Sequence, residues 1–446
     1  MLMILLIMNQ AAARHADDSR PHGRAGFLAP YRVLDLSDER GLLAGWMLAR
    51  LGADVVQVEP EAGSSARRVG PFDAAAPLGQ NSLYWSAYAA GKRGISCMID
   101  HPDGSALLQR LMACADILIE SQLPGATPRP ELEVAAIRAA HPRLIHVSIT
   151  PFGKTGPKAA YADSELVIWA AAGPLSPSRD ARGMPLRISV PQAYLHAGAD
   201  AAAGALVALF ARHGTGHGQH VDISAQASAS LATLSTTLAS AVGHDNFQFP
   251  AEAPRKQQQL DLSGSGARTR RSKWVVADGL LELHLGMGSA SGGSANRLFA
   301  WMKEEGALPT EFHGWDWIKL PQQIMADEIS ETQIDRAREA VAAFVRPRFK
   351  QDLMDVAMQR GILMAPALTT GDLVGSEQLR ARGFFETVVE AGRPRTLPAR
   401  FAAGCDLAFT PLRPAPQLGE HNTEVYAEWL GLAPADCMAL ARAGSI

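Results

Sequence analysis

Val33-Leu-Asp-Leu36, then residues 41–51, then Gly52-Ala-Asp-Val-Val-Gln-Val-Glu59, is the stretch from which the fold follows. The first four residues read as a short buried strand. Between Gly41 and Leu51 the apolar residues Leu43, Met47, Leu48 and Leu51 recur at helical spacing, and Gly52 supplies a stop. Asp54 to Glu59 is a second apolar strand, closed by Pro60. Strand, helix, strand in under thirty residues implies a parallel pair joined by a right-handed crossover.

The pattern continues outward. Strands are expected at 95–99, 117–120 and 144–150, with helices at 103–115 and 130–140 between them. This alternation predicts an α/β fold with a Rossmann-like, doubly wound sheet. From Pro191 the character changes. Residues 193–213 are rich in Ala and Leu and read as a long buried helix, followed by a short strand at 219–223 and a small-residue helix over 224–242. Residues 244–273 are polar and without apolar period, as in a linker. Trp274 to Leu285 holds two short strands around Asp278-Gly279, a hairpin signal. Helices at 295–305 and 332–345 complete a smaller α+β domain over 274–360. The chain thus divides into a disordered leader (1–29), a large domain (30–225), a helix and linker (226–273), and the small domain.

Composition narrows the function. In 446 residues, 42 Lys and Arg stand against 45 Asp and Glu, a net charge of −3. A nucleic-acid binder would carry a strongly basic face, so none is expected as a partner. The four cysteines, Cys97, Cys114, Cys405 and Cys437, have no CxxC spacing, which predicts neither a metal site nor a disulfide framework and fits a cytoplasmic protein. The apolar run Met1 to Met8 is too short for a secretory signal or a spanning helix. No membrane association is expected.

The first strand–helix junction, Ser37-Asp-Glu-Arg-Gly-Leu-Leu-Ala-Gly45, lacks the GxGxxG that brings backbone against a pyrophosphate. A dinucleotide redox cofactor is therefore not expected, although Glu59 ends the second strand where a ribose-binding acid would sit. The basic pairs Arg67-Arg68 and Lys92-Arg93 lie beside strand ends. They suit either phosphate contacts or a solvated charged surface. In Tyr161-Ala-Asp-Ser-Glu-Leu-Val-Ile-Trp169, Glu165 opens an apolar helical run with Asp163 two residues earlier. A carboxylate there is either a helix cap or a catalytic group.

Taken together, these segments resemble the family III (CaiB/BaiF-type) coenzyme A transferases. The first βαβ unit is similar to theirs, as are Arg68-Val-Gly-Pro-Phe72, Gly91-Lys-Arg-Gly-Ile95, Ala115-Asp-Ile-Leu-Ile-Glu120, Pro142-Arg-Leu-Ile-His-Val-Ser148, Phe152-Gly-Lys-Thr-Gly-Pro157 and Thr215-Gly-His-Gly-Gln-His-Val-Asp222. Gly361-Ile-Leu-Met-Ala-Pro366, Gln378-Leu-Arg-Ala-Arg-Gly-Phe384 and Pro414-Ala-Pro-Gln-Leu-Gly-Glu-His421 look like the closing pattern. Gly264-Ser-Gly266 stands where some members carry a glycine-rich loop.

The resemblance implies that residues 361–446 return to the large domain and that two subunits form an interlocked homodimer. It implies coenzyme A as a substrate, bound as acyl-CoA, with a carboxylic acid as acceptor and no metal or redox cofactor. Counting back from Gly173 puts Glu165 where the family's transferases carry a catalytic aspartate; Asp163 is the alternative after a two-residue slip. Arg40, Arg68, Lys92 and Arg93 are the implied phosphate contacts. Racemase or lyase activity on an acyl-CoA, and non-catalytic binding of CoA thioesters, are the competing expectations.

Overall fold

In a computed structural model, the described residues are 26–123, 129–175, 184–243, 273–402 and 409–446. Most of the expected leader, the 244–273 linker up to residue 272, Gly264-Ser-Gly266 and Cys405 lie outside them. The chain forms two compact units: residues 1–178, 186–247 and 378–446, and residues 179–185 and 248–377.

The first unit is built on a six-stranded sheet. Its elements begin with β1 (Arg32–Asp35), α1 (Leu42–Arg50), β2 (Asp54–Glu59), α2 (Leu83–Tyr88), β3 (Arg93–Ser96), α3 (Pro102–Cys114), β4 (Ile117–Glu120), α4 (Val134–Ala140) and β5 (Ile145–Thr150). They continue with α5 (Glu165–Ala171), α6 (Ala193–Thr215), β6 (His220–Ser224), α7 (Ala225–Ser230) and α8 (Leu234–Ala241). Strand order is β3-β2-β1-β4-β5-β6, parallel throughout, with Val33 opposite both Val55 and Ile117. Parallel sheets are covered on both faces, which is why β2, β4 and β5 read as continuous apolar runs rather than alternating ones.

One face packs on α1 and α6. The long helix α6 is apolar enough in length and composition to cross a membrane, but here Ala193, Ala197, Ala201, Ala205 and Ala208 are buried with Val33, Ile119 and Val147 in the sheet's core. On the opposite face, Leu34, Val56 and Leu118 pack with Val425, Tyr426 and Trp429 near the end of the chain. The first unit is therefore assembled from both chain ends.

The second unit has its own core around Trp317, Leu298 and Val341. Its antiparallel sheet joins β7 (Lys273–Val276), β8 (Gly279–Leu283) and β9 (Met364–Ala367), with α9 (Gly292–Glu304), α10 (Leu320–Met325), α11 (Glu331–Val345) and α12 (Lys350–Arg360) between the last two strands. The return expected at 361 begins later, because Leu281 and Leu283 pair with Pro366 and Met364; the chain re-enters the first unit at Gln378.

Two further expectations are corrected. The helix over 224–242 is interrupted by a 3-10 turn at Leu231–Thr233. There the Ser230 hydroxyl donates to Gln226 O and the Thr233 hydroxyl to Ser230 O, side-chain bonds that compete with the helical ladder. The third strand starts at Arg93 rather than 95, which puts Arg93 in the sheet with Lys92 directly before it.

Candidate active site

The order of the sheet reverses between β1 and β4. In open α/β sheets, ligands bind outside the carboxyl ends of the strands at such a point. Here the residues following the two strands meet: the Ser121 hydroxyl donates to Asp38 Oδ1 (2.9 Å) and accepts the Asp38 backbone N–H (3.0 Å).

Arg40 is the hub above this junction. Its Nη1 pairs with Asp38 Oδ2, and its Nε donates to Asp163 Oδ2 at 3.4 Å. Burial works against the Arg40 charge, but Asp38 and Asp163 outweigh it and hold its pKa above the ordinary guanidinium value. Asp163 also accepts from the Tyr194 hydroxyl. Burial and this carboxylate raise the Tyr194 pKa, so the phenol stays protonated. Asp163 is thus already committed to two donors.

Glu165 is placed differently. Ser164 caps α5 by accepting the Val167 N–H (3.2 Å), which sets Glu165 in the first turn. Its Oε1 accepts the backbone N–H groups of Gln192 (2.5 Å) and Ala193 (2.8 Å), at the start of α6. The positive end of a 23-residue helix favours the anion there. Oε2 makes no hydrogen bond among the described residues. The carboxylate lines a groove with Leu166, Trp169, Arg187, Ile188, Val190 and Gln192.

Of the implied phosphate contacts, Arg68 is exposed, with one long bond to Ala62 O (3.4 Å). Its neighbour Arg67 is buried, forked onto Glu59 at 2.6 and 2.7 Å beneath Trp85. Lys92 is fully buried, with Nζ 2.8 Å from Asp35 and 2.9 Å from Gln57 Oε1. Arg93 is bound by Asp54, Glu424 and Glu428. Lys92 and Arg93, both implied as phosphate contacts, are thus buried and held in internal ion pairs.

Three residues near these groups were not singled out as site residues by the sequence reading. Arg187 lies in Met184-Pro-Leu-Arg-Ile-Ser-Val-Pro191, whose apolar alternation could have drawn attention to it. Tyr194 reads as one more helix residue. Glu120, ending β4, is buried with Oε1 2.9 Å from Lys154 Nζ and 3.5 Å from His146 Nε2, and Oε2 accepts the Gln122 N–H (2.6 Å). Burial would raise its pKa, but His146 and Lys154 outweigh that and lower it to about 2.

Among the described residues no group of three or more His, Cys, Asp or Glu is placed to hold a metal. Burial pushes the Cys97 thiol up to about 11, far from a nucleophilic thiolate.

The sequence model of CoA-transferase family III matches residues 28–284 and 307–422. This chain belongs to CoA-transferase family III. It is 31% identical to the succinyl-CoA:(R)-benzylsuccinate CoA-transferase subunit BbsE of Thauera aromatica over 89% of this chain and 93% of the relative. It is 28% identical to the succinate–glutarate CoA-transferase of Agrobacterium fabrum over 90% and 95%. A CaiB/BaiF family protein from Brucella suis has the same fold, with a TM-score of 0.70 at 24% identity over 91% of this chain and 99% of that one.

Proposed function

We propose that this chain transfers coenzyme A from an acyl-CoA donor to a carboxylic acid acceptor, with Glu165 as the carboxylate that carries the exchange. The observation behind this reading is the asymmetry of the two candidate acids. Asp163 is tied to Arg40 and Tyr194, whereas Glu165, which lines the groove, is oriented through one oxygen and has no hydrogen bond on the other among the described residues.

Glu165 attacks the thioester carbonyl, the C–S bond breaks, and a mixed anhydride and coenzyme thiolate result. The thiolate then attacks the glutamyl carbonyl, releasing the donor acid and leaving a glutamyl thioester. The acceptor carboxylate repeats the two steps in reverse, forming the new acyl-CoA and restoring Glu165. Arg68 holds a phosphate of the coenzyme as an exposed charge.

Phe210 and Val207 on α6, with Leu231, Leu234 and Leu238 on the interrupted helix, are more than half exposed in the single chain. Such a patch suits a subunit interface, and we assign it to an interlocked homodimer. Cysteines without CxxC spacing fit the cytoplasm.

A second reading rests on the same carboxylate. A carboxylate that accepts two amide hydrogens at a helix start can serve as an anchor, and one relative is named as a subunit. On that reading Glu165 only anchors α6, and the chain binds CoA thioesters beside a catalytic partner.

Incubation with a panel of acyl-CoA thioesters, trapping with hydroxylamine and peptide mass spectrometry separates the two. A hydroxamate on Glu165 supports the nucleophile. Thioester binding with no labelled carboxylate, in a protein that turns over nothing alone, supports the second.

A further inference from the structure

Two successive backbone N–H groups meet one and the same oxygen of Glu165: Gln192 N lies 2.5 Å and Ala193 N 2.8 Å from Oε1. Neither donor is needed by its own helix. The first N–H groups of a helix have no intrahelical partner, and the ladder of α6 begins only where His196 N–H donates to Gln192 O (2.9 Å). The two donors are fixed from the next residue, because the Tyr194 hydroxyl donates to Asp163 Oδ2, which also accepts from Arg40 Nε at 3.4 Å. Residues 163–165 and 192–194 are thus cross-linked twice, once through Glu165 and once through Tyr194.

We propose that the Gln192 and Ala193 N–H groups are the oxyanion hole for the intermediate carried on Glu165 itself. This rests on the transferase reading of Glu165. Once Oε2 has attacked the thioester and the C–S bond has broken, Oε1 is a carbonyl oxygen of the mixed anhydride. The coenzyme thiolate adds to Cδ, and the C=O electron pair moves onto Oε1. When that pair returns, the Cδ–Oε2 bond breaks and the donor acid leaves with Oε2. The acceptor carboxylate then adds to Cδ of the glutamyl thioester, Oε1 takes up the charge again, and the thiolate leaves. In both additions negative charge develops on an oxygen already in reach of two fixed donors, where such donors accelerate acyl transfer. In the first attack the same donors act the other way, since they stabilise the resting carboxylate. They therefore favour discharge of the intermediate over its formation.

The test removes one donor from the full-length protein without touching a side chain: the amide joining Gln192 to position 193 becomes an ester, with lactate in place of Ala193. The thermal midpoint checks the fold. Glutamyl thioester is formed with acetyl-, butyryl-, benzoyl- or succinyl-CoA, whichever labels Glu165, and is discharged by the acid of the same thioester. Acid quench and peptide mass spectrometry follow it. In the ester protein discharge should slow by about 10²- to 10³-fold, the cost of one lost oxyanion donor, with the half-saturating acid concentration unchanged. The fraction carrying thioester at equilibrium with the donor should not fall, because the free carboxylate has lost a stabilising bond. A purely structural role lowers both readings together. That result, or an unchanged discharge rate, overturns the oxyanion hole while the transferase reading stands.

Tyr194→Phe decides the matter if the ester protein does not fold. It keeps both donors but releases the start of α6 from Asp163, and should slow discharge by about 10-fold, less than the roughly 100-fold of a 1 Å misplacement. A discharge rate that Tyr194→Phe leaves intact then overturns the assignment. If none of the four thioesters labels Glu165 in the wild type, the transferase reading falls and the oxyanion hole falls with it.

Discussion

Glu165 and Ala193 join two helices that are separate in sequence: the carboxylate in the first turn of α5 accepts the backbone N–H that opens α6, at 2.8 Å. The carboxylate proposed to react and the helix that supports it are therefore positioned together. Side-chain length matters here, because a shorter acid cannot reach the same amides without moving the backbone.

Glu165→Gln should abolish transfer, by on the order of 10⁴-fold or more, as removal of a nucleophile does. Glu165→Asp keeps the charge but withdraws it by about one methylene, and should lower kcat by about 100-fold. Steady-state transfer assays with an acyl-CoA donor check both. A Glu165→Gln protein as active as the wild type would remove this residue from the chemistry.

Lys92→Met should destabilise the protein by about 3–5 kcal/mol, because it leaves the buried Asp35 carboxylate without its cation. Urea unfolding measures the loss. A phosphate ligand would make a different signature, weaker coenzyme binding with stability unchanged.

The Glu120 pKa, lowered to about 2 from an ordinary 4.5, predicts a pH dependence of stability. A carboxylate depressed by folding contributes stability above its unfolded pKa and loses it as the pH falls through the folded value. The contribution, roughly 3 kcal/mol, should be complete above about pH 4.5 and decline toward pH 2. In Glu120→Gln the unfolding free energy should be lower at neutral pH and flatter over that window, measured by urea titrations at stepped pH.

Phe210→Glu together with Leu234→Glu should convert the proposed dimer into monomer, since both side chains lie more than half exposed on the apolar face. Sedimentation velocity reads the change. An unaltered sedimentation coefficient would place the interface elsewhere.

Much of this architecture is legible in the residues themselves. The apolar runs of β1, β2, β4 and β5 announce a sheet covered on both faces, and their alternation with helical periods dictates parallel pairing. The position of Glu165 at a helix start follows from Ser164 and the apolar run behind it. Burial of Lys92 and Arg93 does not follow, because a charged pair before an apolar strand reads the same in a loop as inside an ion pair. Arg187 and Tyr194 owe their place to where a distant segment comes to lie, which local pattern does not encode.

Gly45 of α1 lies over the Asp35–Lys92 pair, and a methyl group there would stand 2.1 Å from Asp35 Oδ2 and 3.0 Å from Lys92 Nζ. The glycine, the acid and the lysine are therefore sterically coupled, and replacing the glycine requires the Asp35 carboxylate to move. A side chain at position 45 would push Asp35 off Lys92 and leave two buried charges apart. Across the descendants of this chain the trio should persist whole or vanish whole.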